Sequence, residues 1–204
     1  MADERVRPRE GESLMVQITD VHEVLERCVE YHGHFCAGQS LGVRIAKKGL
    51  ELIGAEDQKD LIVFVENDRC IADAVLMATG TRLGRRSLKF VDYGKMAATF
   101  INLKKDLAYR VGLKPVDHEE TPPEGEQDDM KDRVLTLADE ELLFWNRVRV
   151  SLKKEQLPGK PERIVRCAVC GEKVFDAKDI MAEEESAGPL CVSCAHGAYY
   201  QAGE

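Results

Sequence analysis

Two Cys-x-x-Cys doublets near the end of the chain, "CAVCG" (Cys167, Cys170) and "CVSC" (Cys191, Cys194), constrain this sequence more than anything else in it. Two cysteines spaced by two residues on a tight turn can aim both sulfurs at one ion, and Gly171 lets that turn close. A second doublet about twenty residues on completes a tetrahedron with Zn–S distances of ~2.3 Å. The tail around these cysteines has few large apolar groups, so a hydrophobic core cannot hold it alone. Zinc binding of order ~10–16 kcal/mol is then its folding energy. Four protein ligands leave no open coordination position, which makes the site structural. An iron–sulfur cluster also takes four cysteines, but the separated doublets and the lack of an adjacent Cys-Pro favour zinc. The segment "VSCAHGAYY" after Cys191 reads as a short helix, whose N-terminal N–H groups stabilise thiolate charge. His196 is then a bystander.

Upstream, "LPGKPER" (Leu157–Arg163) breaks the pattern and marks a boundary. The layout is a polar N-terminal tail over residues 1–18, a core over 19–157, a linker over 158–166 and the finger over 167–204. The tail has no apolar leader segment, and the longest apolar runs, such as Leu61–Val65, are far too short to span a bilayer. A cytoplasmic protein is expected, with no membrane contact. In that compartment seven cysteines point to metal or redox chemistry rather than a disulfide framework. The net charge of −8 argues against a general nucleic-acid role. The basic runs Arg147–Lys154 and Lys160–Arg166 leave a local contact through the finger open.

Within the core, Thr19–Asp20 offers an N-cap for a helix with Val21, Val24, Leu25, Cys28 and Val29 on one face, ending at Gly33. A second helix is expected from about Ser40, ended by Gly54, with Gly42 and Gly49 permitting close packing. "LIVFVEN" (Leu61–Asn67) reads as a buried strand, "RCIADAVLMATG" (Arg69–Gly80) as a helix and "SLKFVDYG" (Ser87–Gly94) as a strand. "AATFINL" and "LAYRVGL" around Lys104–Asp106 read as a hairpin. Residues 117–132 form an acidic, Pro-containing loop. Thr136 and Asp139 resemble a capping box, predicting a helix with Leu142, Leu143, Trp145, Val148 and Leu152 inward. Helices first and paired strands afterwards argue for an α+β fold with a partly antiparallel sheet.

The remaining chemistry lies in "YHGHFCAGQSLG" (Tyr31–Gly42). Cys28 sits on the apolar face of the first helix and reads as a small buried hydrophobe. Cys36 lies among Gly33 and Gly38, where side chains can converge with His32 and His34. These three are metal ligands or acid–base groups, or structural residues at a helix end. Cys70 and Asp73 open the helix after the first strand, a common place for reactive groups.

Three motifs then stand in order: "HGHFCAGQSLGVR" (His32–Arg44), "CIADAVLMATGTRLG" (Cys70–Gly84) and "DYGKMAATF" (Asp92–Phe100). Together they resemble the FmdE family, named for the FmdE component of formylmethanofuran dehydrogenase, over Thr19 to Gly112. The resemblance implies an α+β core, a treble-clef-type finger as some members carry, and a tightly intertwined homodimer. It implies that His32, His34, Cys36, Cys70 and Asp73 meet in a cleft, with Tyr93 and Lys95 from a neighbouring strand end.

In that cleft His34, Cys36 and Cys70 can hold a second divalent metal with an open position. Alternatively a cysteine thiolate there is a nucleophile or redox group. Asp73 orients a histidine or caps its helix; Lys95 stabilises an anionic substrate or stays on an exposed turn. Ala37 replaces a usual proline, and "GRRSL" replaces a usual glycine–asparagine version, so ligand specificity does not carry across.

The named dehydrogenase needs a pterin metal and iron–sulfur clusters on other subunits, and this chain has neither a ferredoxin-like cysteine run nor a Gly-rich dinucleotide loop. Two function classes follow. One is a metal- or thiol-dependent protein of one-carbon or redox metabolism, standing alone or as an accessory to dehydrogenase subunits. The other is a regulatory or metal-sensing protein whose finger contacts protein or RNA.

Overall fold

The computed structural model of the chain describes residues 18–115, 134–181, 188–201 and 203. The expected tail through residue 17 and the acidic loop over 117–132 lie outside the described residues. The chain divides into two compact units between Val150 and Ser151.

In the larger unit, α1 (Val21–His32) begins where the Asp20 carboxylate accepts the N–H groups of His22 and Glu23. It ends at Gly33, whose left-handed backbone (φ 91°) lets its N–H return to Val29 O, a conformation glycine adopts without steric cost. Helix α2 (Ala37–Ile53) starts three residues earlier than the sequence suggests, with Cys36 at its N-cap, and Gly54 closes it. Helix α3 (Cys70–Thr79) follows Arg69 at its N-cap and stops at Gly80.

The sheet is built from β1 (Leu61–Val65), β2 (Leu88–Phe90), β3 (Ala97–Asn102), β4 (Leu107–Leu113) and β5 (Leu143–Val148). Its order is β2-β1-β3-β4-β5. β1 and β2 run parallel, and every other pairing is antiparallel. The mixed α+β class expected from the sequence is therefore the one observed. β2 covers only the first part of the expected strand; residues 91–96 instead form a loop whose Tyr93 and Lys95 N–H groups bond Glu66 O.

β5 corrects the sequence reading. The helix expected beyond Thr136 is a single turn, α4 (Asp139–Leu142), with Ala138 rather than Thr136 at its N-cap; the chain then becomes strand. Leu143 and Trp145 fit an alternating pattern as well as a helical one. The open edge of β4 decides between them, because backbone groups there gain partners only if the chain is extended. Val111 faces Trp145 and Leu113 faces Leu143 across that pairing.

One sheet face buries Val63, Val65, Ala98, Phe100, Val111 and Leu143 against Leu41, Ile45, Leu50, Ile53, Ile71 and Val75 of α2 and α3. Glycines set how closely these layers approach. A Cβ on Gly42 would lie 2.5 Å from the Ala74 Cβ, and one on Gly49 would lie 2.1 Å from the Phe100 ring. On the other side of α2, Arg44 donates to the carbonyls of Val134, Leu135 and Leu137 and to the Asp139 carboxylate. Lys48 reaches the same carboxylate at 3.3 Å. This buried guanidinium, which sequence periodicity does not single out, moors the returning chain to α2.

The smaller unit is built on short pairings. β6 (Ile164–Arg166) pairs with β7 (Lys173–Phe175), and β8 (Ile180–Met181) with β9 (Pro189–Leu190). The helix expected after Cys191 is α5 (Val192–His196), with Cys191 at its N-cap. No helix among the described residues is long and apolar enough to cross a membrane.

Candidate metal centres

In the smaller unit the turn after β6 carries Cys167 and Cys170, while the start of α5 carries Cys191 and Cys194. Their four sulfurs all lie within 4.8 Å of one another. Cys170 Sγ and Cys191 Sγ are 3.9 Å apart, close to the ~3.8 Å edge of a tetrahedron with Zn–S bonds of ~2.3 Å. Local backbone prepares the cluster for negative charge. The N–H of Cys170, then that of Cys191, lowers the Cys167 thiol to about 6. The Ser193 hydroxyl and the Cys194 N–H lower Cys191. The hydrogen bond with Cys191, burial and the other sulfurs push Cys194 up to about 12. A bare cluster cannot ionise all four thiols, and a cation at its centre removes that conflict. The arrangement is a four-cysteine group that can hold a metal ion.

In the larger unit, the end of α1 and the start of α2 bring His32, His34 and Cys36 together, with one ligand atom from each within 4.8 Å of the others. The two imidazole centroids are 4.7 Å apart. Asp73, in the first turn of α3, fixes the His32 ring: its Oδ2 lies 2.8 Å from His32 Nδ1. A carboxylate on one ring nitrogen leaves Nε2 as the atom free to ligate, the arrangement commonly found behind metal-bound histidines.

Cys70 joins from the start of α3. A Cβ on Gly38 would stand 3.7 Å from Cys70 Sγ and 3.8 Å from Cys36 Sγ, so both sulfurs flank one point on α2. Burial first, and then the neighbouring Cys36 thiol, raise the Cys70 thiol above its ordinary value. Cys28 is elsewhere: it is fully buried on α1, with Sγ 3.8 Å from Ala74 O, and burial raises its thiol to about 11.

The structure thus groups His32, His34 and Cys36, with Asp73 bonded to His32 and Cys70 beside Cys36 but outside that mutual 4.8 Å group. It does not bring in the Lys95 side chain. Lys95 is exposed, with Nζ 5.8 Å from the Tyr93 ring centroid, and among the described residues no hydrogen bond or ion pair joins it to the cluster.

Sequence reasoning missed the residues that hold the Lys95 loop. Glu66, buried at the end of β1, receives two hydrogen bonds from Arg110 of β4, at 2.7 and 2.6 Å. The Asn67 amide donates to Lys95 O and Met96 Sδ, and its oxygen accepts the Arg69 N–H, at the entry to α3. The signal was there: a carboxylate and an amide directly following an apolar strand are polar groups that burial obliges to find partners.

The chain is 37% identical over 94 residues to a probable S-adenosyl-L-methionine-binding protein of Archaeoglobus fulgidus, a match covering 43% of this chain and 26% of that protein. The chain therefore spans about a quarter of that relative's length. The crystal structure of a tungsten formylmethanofuran dehydrogenase FmdE-like protein from Syntrophus aciditrophicus shares the fold. It has a TM-score of 0.58 and 20% identity, and the match covers 89% of this chain and 95% of that one. The family model described as "FmdE, Molybdenum formylmethanofuran dehydrogenase operon" matches residues 31–158. That stretch contains His32, His34, Cys36, Cys70, Asp73 and the five-stranded sheet, and the chain belongs to the FmdE family.

Proposed function

We propose that this protein is a two-metal FmdE-family protein. A structural zinc sits among Cys167, Cys170, Cys191 and Cys194, and a second, more labile divalent ion sits in the core. His32 through Nε2, His34, Cys36 and Cys70 supply the core donors. The observation that carries the reading is the Asp73–His32 bond of 2.8 Å beside a clustered histidine and cysteine. Imidazole and thiolate donors suit zinc and its neighbours among the transition metals. An ion there supplies Lewis acidity toward a carbonyl or a water. The protein's own share is to fix the donors: the end of α1 and the short connection from Gly33 to the α2 N-cap present the histidines and Cys36, while α3 sets Asp73 on His32 and Cys70 beside Cys36.

The reading makes the chain a metal-dependent partner of one-carbon or redox chemistry, standing alone or beside dehydrogenase subunits. Elemental analysis tests it. Wild type should carry two equivalents, Cys36→Ser and Cys70→Ser one, and Cys167→Ser should lose the finger ion instead. A single equivalent in wild type and in both core variants would end the core-metal reading.

A regulatory reading, with the finger as a docking module, is favoured by one feature. Ile164 and Phe175 face each other across β6 and β7 and are 50% and 45% exposed. An exposed apolar pair suits a protein contact better than RNA. Loss of partner capture on Phe175→Ser, with the finger ion retained, would support it.

A further inference from the structure

The two sulfurs beside Gly38 have a chemistry besides ligation. We propose that Cys36 and Cys70 form a reversible intramolecular disulfide when the cleft is metal-free, making this pair a site of two-electron oxidation by a small disulfide. The proposal stands on the placement of the thiols; only its link to metal occupancy rests on the two-metal reading above.

Three observations carry it. Both cysteines are free thiols and partly exposed, unlike Cys28, which is fully buried. They come from separate elements, the N-cap of α2 and the first residue of α3, so neither is held on a helix wall facing away from the other. Their sulfurs flank the position a Gly38 side chain would occupy, at 3.7 and 3.8 Å, and the Cys70 Cβ would be 3.1 Å from it. Gly38 thus keeps open the space through which the sulfurs must swing to reach the ~2.05 Å of an S–S bond.

The exchange balances in two steps. The Cys36 thiolate attacks the S–S bond of an oxidant RSSR, forming Cys36–S–S–R and expelling RS⁻, which takes up a proton. The Cys70 thiolate then attacks the Cys36 sulfur, forming the intramolecular bond and expelling the second RS⁻. The protein gives up two electrons and two protons; RSSR becomes two RSH. Cys36 is the attacking residue because, at the α2 N-cap, it directly follows the exposed residues Gly33, His34 and Phe35, whereas the Cys70 Cβ lies against α2 at Gly38. Oxidation withdraws two of the four proposed donors, so metal and disulfide exclude each other.

The test uses the full chain, reduced and stripped by a chelator, then exposed to oxidised glutathione. Free thiols are alkylated, and a non-reducing digest is mapped by mass spectrometry. A Cys36–Cys70 cross-linked peptide is expected, with Cys28 alkylated only after denaturation. Cys70→Ser should stop at a Cys36–glutathione adduct. Gly38→Ala, with folding verified by Trp145 fluorescence, should slow cross-linking at least tenfold. Recovery of Cys36 and Cys70 as unlinked thiols or as separate adducts would overturn the proposal.

Preloading with zinc separates the two ideas. Protection of the pair by tenfold or more supports both. Cross-linking at an unchanged rate keeps the disulfide and removes the core-metal reading.

Discussion

Gly49→Ala tests whether the helix layer is seated on the sheet as tightly as the structure shows. Two effects oppose each other. Replacing a mid-helix glycine with alanine gains about 1 kcal/mol from backbone entropy. The new Cβ, however, would stand 2.1 Å from Phe100 Cδ2 and 2.4 Å from Cε2. Ordinary carbon contacts begin near ~3.5 Å, so the ring or the helix must give way by more than about 1 Å. Phe100 is fully buried in the middle of β3 and cannot turn aside into solvent. Overpacking of this kind costs about 1–3 kcal/mol, and this overlap belongs at the upper end. The net expectation is destabilisation of about 1–2 kcal/mol.

Trp145 is the protein's only tryptophan and packs against the same core cluster, so its fluorescence follows unfolding in urea. The midpoint should fall with the slope unchanged. Phe100→Leu, which removes the offending ring, should recover part of the Gly49→Ala cost, giving a coupling of roughly 1 kcal/mol in a double-mutant cycle. If Gly49→Ala is as stable as wild type or gains the helix-propensity increment, or if the two substitutions simply add, the packing argument is wrong.

Asp73→Asn should weaken core metal binding about 10–100-fold, read by cobalt spectroscopy or calorimetry, and leave the finger site untouched. Chelation should unfold the finger, seen as loss of amide protection over 164–181 and 188–196, while Trp145 fluorescence is retained. Asp139 gives a pH signature. Burial raises its carboxyl, but the hydrogen bonds from Arg44 and Lys48 together outweigh burial and leave it below the ordinary 3.8. Its stabilisation, about 1–2 kcal/mol for charged hydrogen bonds of this exposure, is therefore present above the unfolded value. It fades as pH falls through the lowered folded value. Asp139→Asn should be less stable than wild type at pH 7 and converge with it in acid denaturation; a constant gap across that range would refute the assignment.

Much of the core was legible because its signals are local. Gly33, Gly54 and Gly80 end helices where the apolar period ends, and the β3–β4 hairpin follows from two β-rich runs around a charged turn. The doublets at Cys167–Cys170 and Cys191–Cys194 announced their meeting through spacing alone. What misled was non-local. Leu143–Val148 is a strand because β4 has an edge to fill, and nothing within the segment says so. Cys36 caps α2 instead of lying in a free turn, since the helix begins as soon as α3 can pack beside Gly38. The bond between Asp73 and His32 spans forty-one residues, and no spacing rule connects them. Lys95 entered through motif likeness, yet what the fold uses there is its backbone, bonded to Glu66 and Asn67.

The mooring by Arg44 has an engineering consequence. Leu113 pairs with Leu143, Lys114 N–H bonds Leu142 O, and the chain from 134 to 139 is clamped to α2. Both shores of the intervening acidic stretch are thus anchored independently of its length. Changes confined to the residues between these anchors should therefore leave the β4–β5 register and the Arg44 clamp intact.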